Sequence, residues 1–567
     1  MALPMNVYKA LEDIVGSRNI SDDPAVLDSY RYSMAYTAIH LGPFFDTFTP
    51  RGAAVLLPGS TGDVQAIVEL CNKYKIKFKA SSTFWSAQGY PSEDNTIQLD
   101  MRRMDRILEI DEKNMFAVIE PGVIGATLQA EAMKVGLNTH IPGSGCSCST
   151  LASATSYFGS GPSNLYGGWY YDNLLGLEWV TPTGDILRTG SLGSGCGWFC
   201  GEGPGPSMKG VARGFLGSKG SMGVYTKCAI KLFAWPGPKH LPVEGIVPAY
   251  RTPLPDNFKA YTVAFPSWKA WADAAYTIWD TGIGYLAHRQ FNMFGRDLKF
   301  AMVKILTDPT KTLGDLEELL EDPEVQKVTE QSKREFQIIL VGMTKRDIEW
   351  QKKAFDEILA RTGGWKVEAM NEPDIHDWVL LYMIRLGHKN LNLVFGGGYD
   401  GCFGLLGAAD YGTSHAEEAA QFKKKWEKRG AIVDAGGDCM MGPIGGQGGG
   451  GTCLWENFTC FDPADRESTE GTLEFFDACT RLGLEKGWGV GMEKWNSVAR
   501  GPDGRTTPKE ERDRIHLGAP QPSVFRYQHK VREAFNPNDL GDAYYETLDD
   551  SRKFPYPYGN NDGENAR

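Results

Sequence analysis

An α+β chain in two lobes is what the sequence predicts, on three observations. Short apolar strands alternate with amphipathic helices from Ala53 onward, Pro236-Gly237-Pro238 interrupts that pattern, and two strand–helix units of similar length follow the interruption. The chain has 567 residues, well beyond the ~100–200 of one domain. Its 42% of hydrophobic residues suffices for a large buried core.

The elements follow in order. Val7 to Val15 and Pro24 to Tyr32 read as helices, so residues 1–50 are an N-terminal helical segment. Ala53–Leu57 is a strand. Thr61–Tyr74 opens on a Ser/Thr/Asp cap and places Val64, Ile67, Val68, Leu70 and Cys71 at helical spacing. Ile76–Lys79, Ile97–Asp100, Ile107–Ile110 and Phe116–Glu120 are strands, and Gly125–Val135 is a helix. Pro142–Gly168 is a long Gly/Ser segment. Leu174–Thr181 and Asp185–Arg188 make a hairpin about Pro182-Thr183-Gly184, and Val224–Phe233 is a last strand before the linker. Residues 51–236 thus form one domain. In residues 237–520, Phe336–Gly342 and Leu405–Ala409 are strands, while Lys345–Arg361, Ser414–Arg429 and Ser468–Leu484 are helices, which suits an antiparallel sheet. Residues 521–550 form a C-terminal segment, and 551–567 an extended Pro/Gly-rich tail.

Several function classes are excluded at this level. A formal charge of −12 disfavours nucleic acid, whose phosphates select basic surfaces. No run of ~18 apolar residues could span a membrane. Met1 to Ala10 lacks a cationic stretch followed by an apolar one, so a cytoplasmic location is expected. Cys146-x-Cys148 and Cys196-x-x-x-Cys200 lack metal-ligand spacing, so no metal site is expected. There is no Walker loop, no G-x-G-x-x-G between an early strand and a helix, and no G-x-S-x-G elbow.

Glycine is abundant, at 67 residues, and sits in motifs rather than repeats. The turn Ala80-Ser81-Ser82-Thr83-Phe84-Trp85-Ser86 offers consecutive backbone N–H groups that could cradle a diphosphate. Val118-Ile119-Glu120-Pro121-Gly122-Val123 ends a strand. Pro142-Gly143-Ser144-Gly145-Cys146-Ser147-Cys148-Ser149-Thr150-Leu151-Ala152-Ser153-Ala154 has side chains small enough for backbone to approach a flat ring. Gly217 to Gly223 runs straight into the strand at Val224.

In that order and spacing these segments resemble the PCMH-type FAD-binding domain of the vanillyl-alcohol oxidase / p-cresol methylhydroxylase superfamily, to which glycolate-oxidase and D-lactate-dehydrogenase flavoproteins belong. Phe535-Asn536-Pro537-Asn538-Asp539-Leu540-Gly541-Asp542 resembles its closing motif. The resemblance implies an FAD domain over 51–236, a cap or substrate domain over 237–520 and a return of 521–550 to the FAD domain. It implies FAD contacts from Ser81, Ser82, Thr83, Phe84, Trp85 and Ser86, from Pro142, Gly143, Gly145, Ser149, Thr150 and Ser153, and from Gly223 and Val224. No histidine stands in the first loop, and Pro443 and Ile444 stand where one branch of the superfamily tethers its flavin, so noncovalent FAD is expected.

The implied activity is hydride transfer from a hydroxylated or aromatic small molecule to flavin N5. Tyr90, Tyr170 and Tyr171 are the candidate proton-handling groups, against ordinary packing of each ring. Arg385, like His288-Arg289, could pair a substrate carboxylate through a bidentate fork. The phenolate-binding Tyr–Arg pair and the H-x-G-D-G-N-L-H signature of the two best-known branches are both missing. With no iron–sulfur or heme spacing of its own, the chain is expected to deliver electrons to a cytochrome, an electron-transferring flavoprotein or an iron–sulfur subunit, in a homo- or hetero-oligomer. The alternatives are an electron-transfer subunit of a larger complex, an oxygen-using oxidase and a flavin-free binding module.

Overall fold

Four short strands open the architecture: β1 (Ile20–Ser21), β2 (Ala54–Leu56), β3 (Lys77–Ser81) and β4 (Thr96–Asp100), in the order β1-β2-β4-β3. β1 runs antiparallel to β2, whereas β2, β4 and β3 are parallel, with β2 and β3 joined through the helix Thr61–Tyr74. That helix starts where Ser60 Oγ accepts the Asp63 N–H, and it buries Val64, Ile67, Val68 and Cys71 against the sheet. The N-terminal segment, expected to be helical, holds the helices Met5–Val15 and Pro24–Ser29 but also supplies β1. The computed structural model describes residues 3–31, 51–84, 89–91, 94–142, 145–156, 161–198, 207–212, 221–245, 251–289, 299–385, 398–414, 416–432, 438–441, 452–462, 465–486 and 522–542.

Strands β5 (Ile107–Asp111), β6 (Phe116–Ile119), β7 (Leu137–Asn138), β8 (Leu174–Val180), β9 (Ile186–Arg188), β10 (Val224–Lys231) and β11 (Phe233–Ala234) follow. Five of them form an antiparallel sheet ordered β5-β6-β10-β8-β9, and β7 pairs with β11. The Gly/Ser segment is not all loop. Ser149 caps a short helix, Thr150–Thr155, and a second turn of helix spans Asn164–Gly167.

The second half is built on β12 (Phe258–Ala264), β13 (Leu286–Arg289), β14 (Glu335–Val341), β15 (Trp365–Lys366), β16 (Gly398–Ala408), β17 (Asp438–Met441) and β18 (Thr452–Phe461). They form one seven-stranded sheet, β15-β12-β14-β13-β17-β18-β16, antiparallel at every pairing as expected. One face packs Val263, Phe336, Ile338 and Leu340 on the helices Trp268–Thr281 and Lys345–Thr362. The other face packs Ala260, Leu286 and Ile339 on the helix Pro373–Arg385. Every residue of that helix from Trp378 to Ile384 is buried, because first-half side chains Met133, Ile141 and Trp235 share its core.

The C-terminal motif reaches the first sheet. Phe78 N–H donates to Leu540 O (3.0 Å) and Asp542 N–H to Phe78 O (2.9 Å), adding a short parallel bridge beside β3. Among the described residues no helix is long and apolar enough to cross a membrane.

Candidate functional site

β3 carries the chain from the first sheet directly into Ser81, Ser82, Thr83 and Phe84. Phe84 lies at φ +53°, a left-handed conformation that a non-glycine residue rarely adopts without compensation from its surroundings. The turn closes tightly: a Cβ on Gly89 would sit 2.5 Å from Ser81 Oγ. Trp85 and Ser86 lie outside the described residues, as do Gly143, Pro443 and Ile444.

The second segment folds back onto this turn. Ser149 N–H donates to Thr83 Oγ1 (3.1 Å), tying together two loops 66 residues apart. Ser149 Oγ donates to Pro121 O (2.6 Å) and accepts the Ala152 N–H (3.1 Å), while Ser153 Oγ donates to Ser149 O (2.8 Å). Thr150 N–H donates to Val123 O (3.0 Å), so the Glu120–Val123 turn holds the same helix start. These hydroxyls shape the segment itself. Pro142 is buried and accepts from Gly145, which takes φ +102°. At the far side, Cys146 N–H donates to Arg385 O (3.2 Å), linking the segment to the second half.

Gly223 sits at the head of β10, where Val224 pairs with Val180 of β8. It takes φ +97°, and a Cβ there would lie 2.2 Å from Val180 O. Only glycine satisfies both demands.

Among the proton-handling candidates, Tyr90 is buried with its ring 5.3 Å from that of Phe84. Tyr170 is fully buried. Its hydroxyl lies 3.2 Å from Thr139 Oγ1, its ring meets His140 edge-on at 4.8 Å, and burial pushes its pKa up. Tyr171 is half-buried and lies parallel to Trp169. Arg385 ends its helix with Nε donating to Gln129 Oε1 (3.3 Å). His288 and Arg289 are adjacent in sequence but point to opposite faces of β13. His288 approaches Tyr382, whereas Arg289 lies over Trp268 and donates to Lys333 O. Strand alternation therefore rules out a paired grip on one carboxylate.

Sequence reasoning passed over the buried set around Thr139 and His140. His140 Nε2 donates to Asn164 Oδ1 (3.0 Å), and Asn138 Nδ2 donates to the hydroxyls of Tyr166 and Tyr285. The polar run Asn138-Thr139-His140 just before Pro142 was the available signal.

Two buried imidazoles give a pH prediction. Burial lowers His140 to about 4; burial, aided by the Arg289 charge, lowers His288 to about 3. Both stay neutral in the fold, while the unfolded chain takes up protons below pH ~6.5. Stability is therefore full above that pH and falls as pH drops, by on the order of 2 kcal/mol per imidazole at pH 5. Denaturant melts at pH 7.5 and 5 should show the loss, and His140→Gln should remove about one proton's share of the slope. A variant whose pH dependence parallels the parent's would contradict the assignment.

The two segments suit a dinucleotide by their donor set. Residues 81–90 and 142–155 carry hydroxyls, amides and small side chains, with no carboxylate to repel a diphosphate. Among the described residues no group of three His, Cys, Asp or Glu side chains could hold a metal ion.

Comparison with known proteins agrees with this reading of the first half. A family model described as an FAD binding domain matches residues 52–190. Glycolate oxidase subunit GlcD of Bacillus subtilis is 30% identical over 193 residues, covering 33% of this chain and 38% of that protein. Alkyldihydroxyacetonephosphate synthase of Dictyostelium discoideum is 30% identical over 188 residues, 32% of this chain and 29% of that protein. The chain thus spans well under half the length of these relatives. In fold the likeness runs further: p-cresol methylhydroxylase with substrate bound superposes with a TM-score of 0.68 at 16% identity, over 95% of this chain and 96% of that one. Residues 52–190 therefore match an FAD binding domain, and the chain shares the fold of p-cresol methylhydroxylase along nearly its whole length.

Proposed function

We propose that the chain is an FAD-linked oxidoreductase that takes a hydride from a hydroxylated or aromatic small molecule and passes the electrons to a protein acceptor. The observation that carries this reading is the Thr83–Ser149 hydrogen bond, which joins the two segments proposed to hold FAD inside the matched FAD-binding stretch. The names of the similar proteins (glycolate oxidase, D-lactate dehydrogenase, p-cresol methylhydroxylase) support oxidation of such substrates.

In this proposal Ser81 to Ser86 cradle the diphosphate, Pro142 to Ser153 line the dinucleotide, and Val224 meets the adenine through its backbone. Bound noncovalently, FAD supplies the two-electron acceptor. Tyr90 is the preferred proton-handling group, because it stands beside the diphosphate turn. Tyr170 keeps its proton at neutral pH, since burial disfavours the phenolate, and so acts as a hydrogen-bond donor to Thr139 or to substrate. Tyr171 flanks it with Trp169 as an aromatic wall. Arg385, anchored on Gln129, would face an anionic substrate group. The −12 charge favours an electron acceptor with a basic docking face, in the cytoplasm and within an oligomer.

A second reading has one observation in its favour: a relative and a solved structure of this fold are named alkyldihydroxyacetonephosphate synthase rather than oxidase or dehydrogenase. Anaerobic titration with 2-hydroxy acids, alkylphenols and aromatic alcohols separates the two. Bleaching of the flavin band by one of these classes is expected. A flavin that none of them bleaches would reject the oxidoreductase reading. Mixing the reduced protein with air-saturated buffer then tests the acceptor: reoxidation slower than turnover with artificial acceptors is expected, and faster reoxidation would make oxygen the acceptor.

A further inference from the structure

The strained residue of the diphosphate turn is held from outside the FAD-binding stretch. Phe84 takes φ +53°. Its ring is enclosed by Tyr30 (5.2 Å between centroids, edge-on at 76°), by Tyr90 (5.3 Å) and by the Arg102 guanidinium (5.4 Å). Tyr30 lies just past the helix Pro24–Ser29, upstream of the stretch 52–190 that matches the FAD binding domain.

Asp100 connects the three. It ends β4 and pairs across the sheet with Ser81, the first residue of the turn. Its carboxylate is fully buried and accepts from Tyr30 Oη (2.7 Å), from Arg102 Nη2 (2.5 Å) and Nε (3.0 Å), and from the Arg102 backbone N–H (3.0 Å). A buried carboxylate needs this many donors, and in meeting that need Asp100 fixes the Tyr30 ring and the guanidinium against Phe84. A bulky residue at positive φ relaxes unless packing over-determines it. The aromatic and cation–π contacts of the box supply that packing.

We propose that Tyr30, oriented by Asp100 and Arg102, is a positioning residue for the flavin: the N-terminal segment clamps Phe84 and thereby keeps the diphosphate turn in its FAD-binding conformation. The clamp acts through Phe84 and does not itself touch the cofactor. It is independent of which substrate the protein oxidises. Its consequence is that the FAD-binding stretch alone, cut from its N-terminal segment, holds FAD weakly.

The test uses the full-length protein, with FAD removed by dialysis against chaotropic salt and returned in a titration read by quenching of flavin fluorescence. Tyr30→Ala should raise the FAD Kd at least about tenfold, the factor expected when a strained loop loses its bracing. The FAD-loaded form should lose more melting temperature than the FAD-free form, so the gap between the two should narrow. Tyr30→Phe keeps the ring but loses the bond to Asp100, and should fall between the two. Arg102→Lys, at a largely exposed side chain, keeps the charge but loses the fork, and should also weaken FAD binding. A Tyr30→Ala protein with unchanged FAD affinity, or one whose FAD-free and FAD-loaded melting temperatures fall equally, would overturn the proposal. If Tyr30→Ala fails to fold, unchanged affinity in both Tyr30→Phe and Arg102→Lys overturns it equally.

Discussion

Replacing Gly223 with tryptophan should empty the protein of FAD while leaving the second half folded. The geometry at this position tolerates no side chain. Gly223 takes φ +97°, and a Cβ would meet Val180 O at 2.2 Å, Thr181 C at 2.9 Å and Pro182 Cδ at 3.0 Å. Two of these three atoms are backbone of the β8 hairpin, so they cannot swing aside as a flexible side chain would. The indole would instead push β10 away from β8 at the Val224–Val180 pairing. Overpacking of this kind costs ~1–3 kcal/mol in an ordinary core, and the positive φ adds to it. Because Val224 opens the strand whose backbone we propose meets the adenine, that displacement should fall on the cofactor first. Flavin content should drop below roughly a tenth of the parent's, since each 1.4 kcal/mol is a factor of ten. Gly223→Ala should show the same direction at smaller size. Full flavin occupancy in the tryptophan variant would place the adenine site elsewhere.

The second large effect is expected at Asn536. This buried side chain organises the C-terminal return: Nδ2 donates to Gly541 O (2.9 Å), and Oδ1 accepts the N–H groups of Leu540 and Gly541 (3.0 Å each). The loop so formed delivers Leu540 and Asp542 to Phe78 of β3, and the buried Lys79 ammonium donates to Asp542 O (2.8 Å). Beside it, Phe535 stacks on Trp179 at 5.1 Å. Asn536→Ala strands three buried backbone groups at once, each worth ~1–3 kcal/mol when unsatisfied. A loss on the order of 3–5 kcal/mol follows, with melting lowered by roughly 3–4 °C in a chain of this length. β3 runs into Ser81, so flavin should also be held less tightly. A melting temperature within about 2 °C of the parent's would show that the return contributes little to the first half.

How far the fold was legible in the sequence depended on the kind of signal. The helix Thr61–Tyr74 was readable to the residue, because a serine cap precedes a helical repeat of Val64, Ile67, Val68, Leu70 and Cys71, of which all but the half-buried Leu70 face the core. The short helix after Ser149 was not, although its cap was visible: six small residues carry no periodicity. The helices Trp268–Thr281 and Pro373–Arg385 were not named at all. From Trp378 to Ile384 the second is apolar on every side because it lies between the sheet and the first half, and such a stretch shows no amphipathic stripe. The Gly/Ser and Ser-rich segments stood out by composition, yet their union through Thr83 and Ser149 is a long-range contact that no local pattern encodes. The pairing of His288 with Arg289 fails for a reason the sequence did contain, since neighbouring residues on a strand face opposite ways. The box around Phe84 gathers Tyr30, Tyr90 and Arg102 from three separate stretches and became visible only in the fold.

One flavin, held noncovalently by one chain, is the expected state of the protein. The visible absorbance spectrum of the purified protein, recorded before and after acid precipitation, tests this most directly. The expected result is flavin bands equivalent to one FAD per chain, all recovered in the supernatant above a colourless pellet. Flavin that stays with the precipitated polypeptide would contradict the noncovalent assignment, and a colourless protein that takes up no added FAD would contradict the site itself.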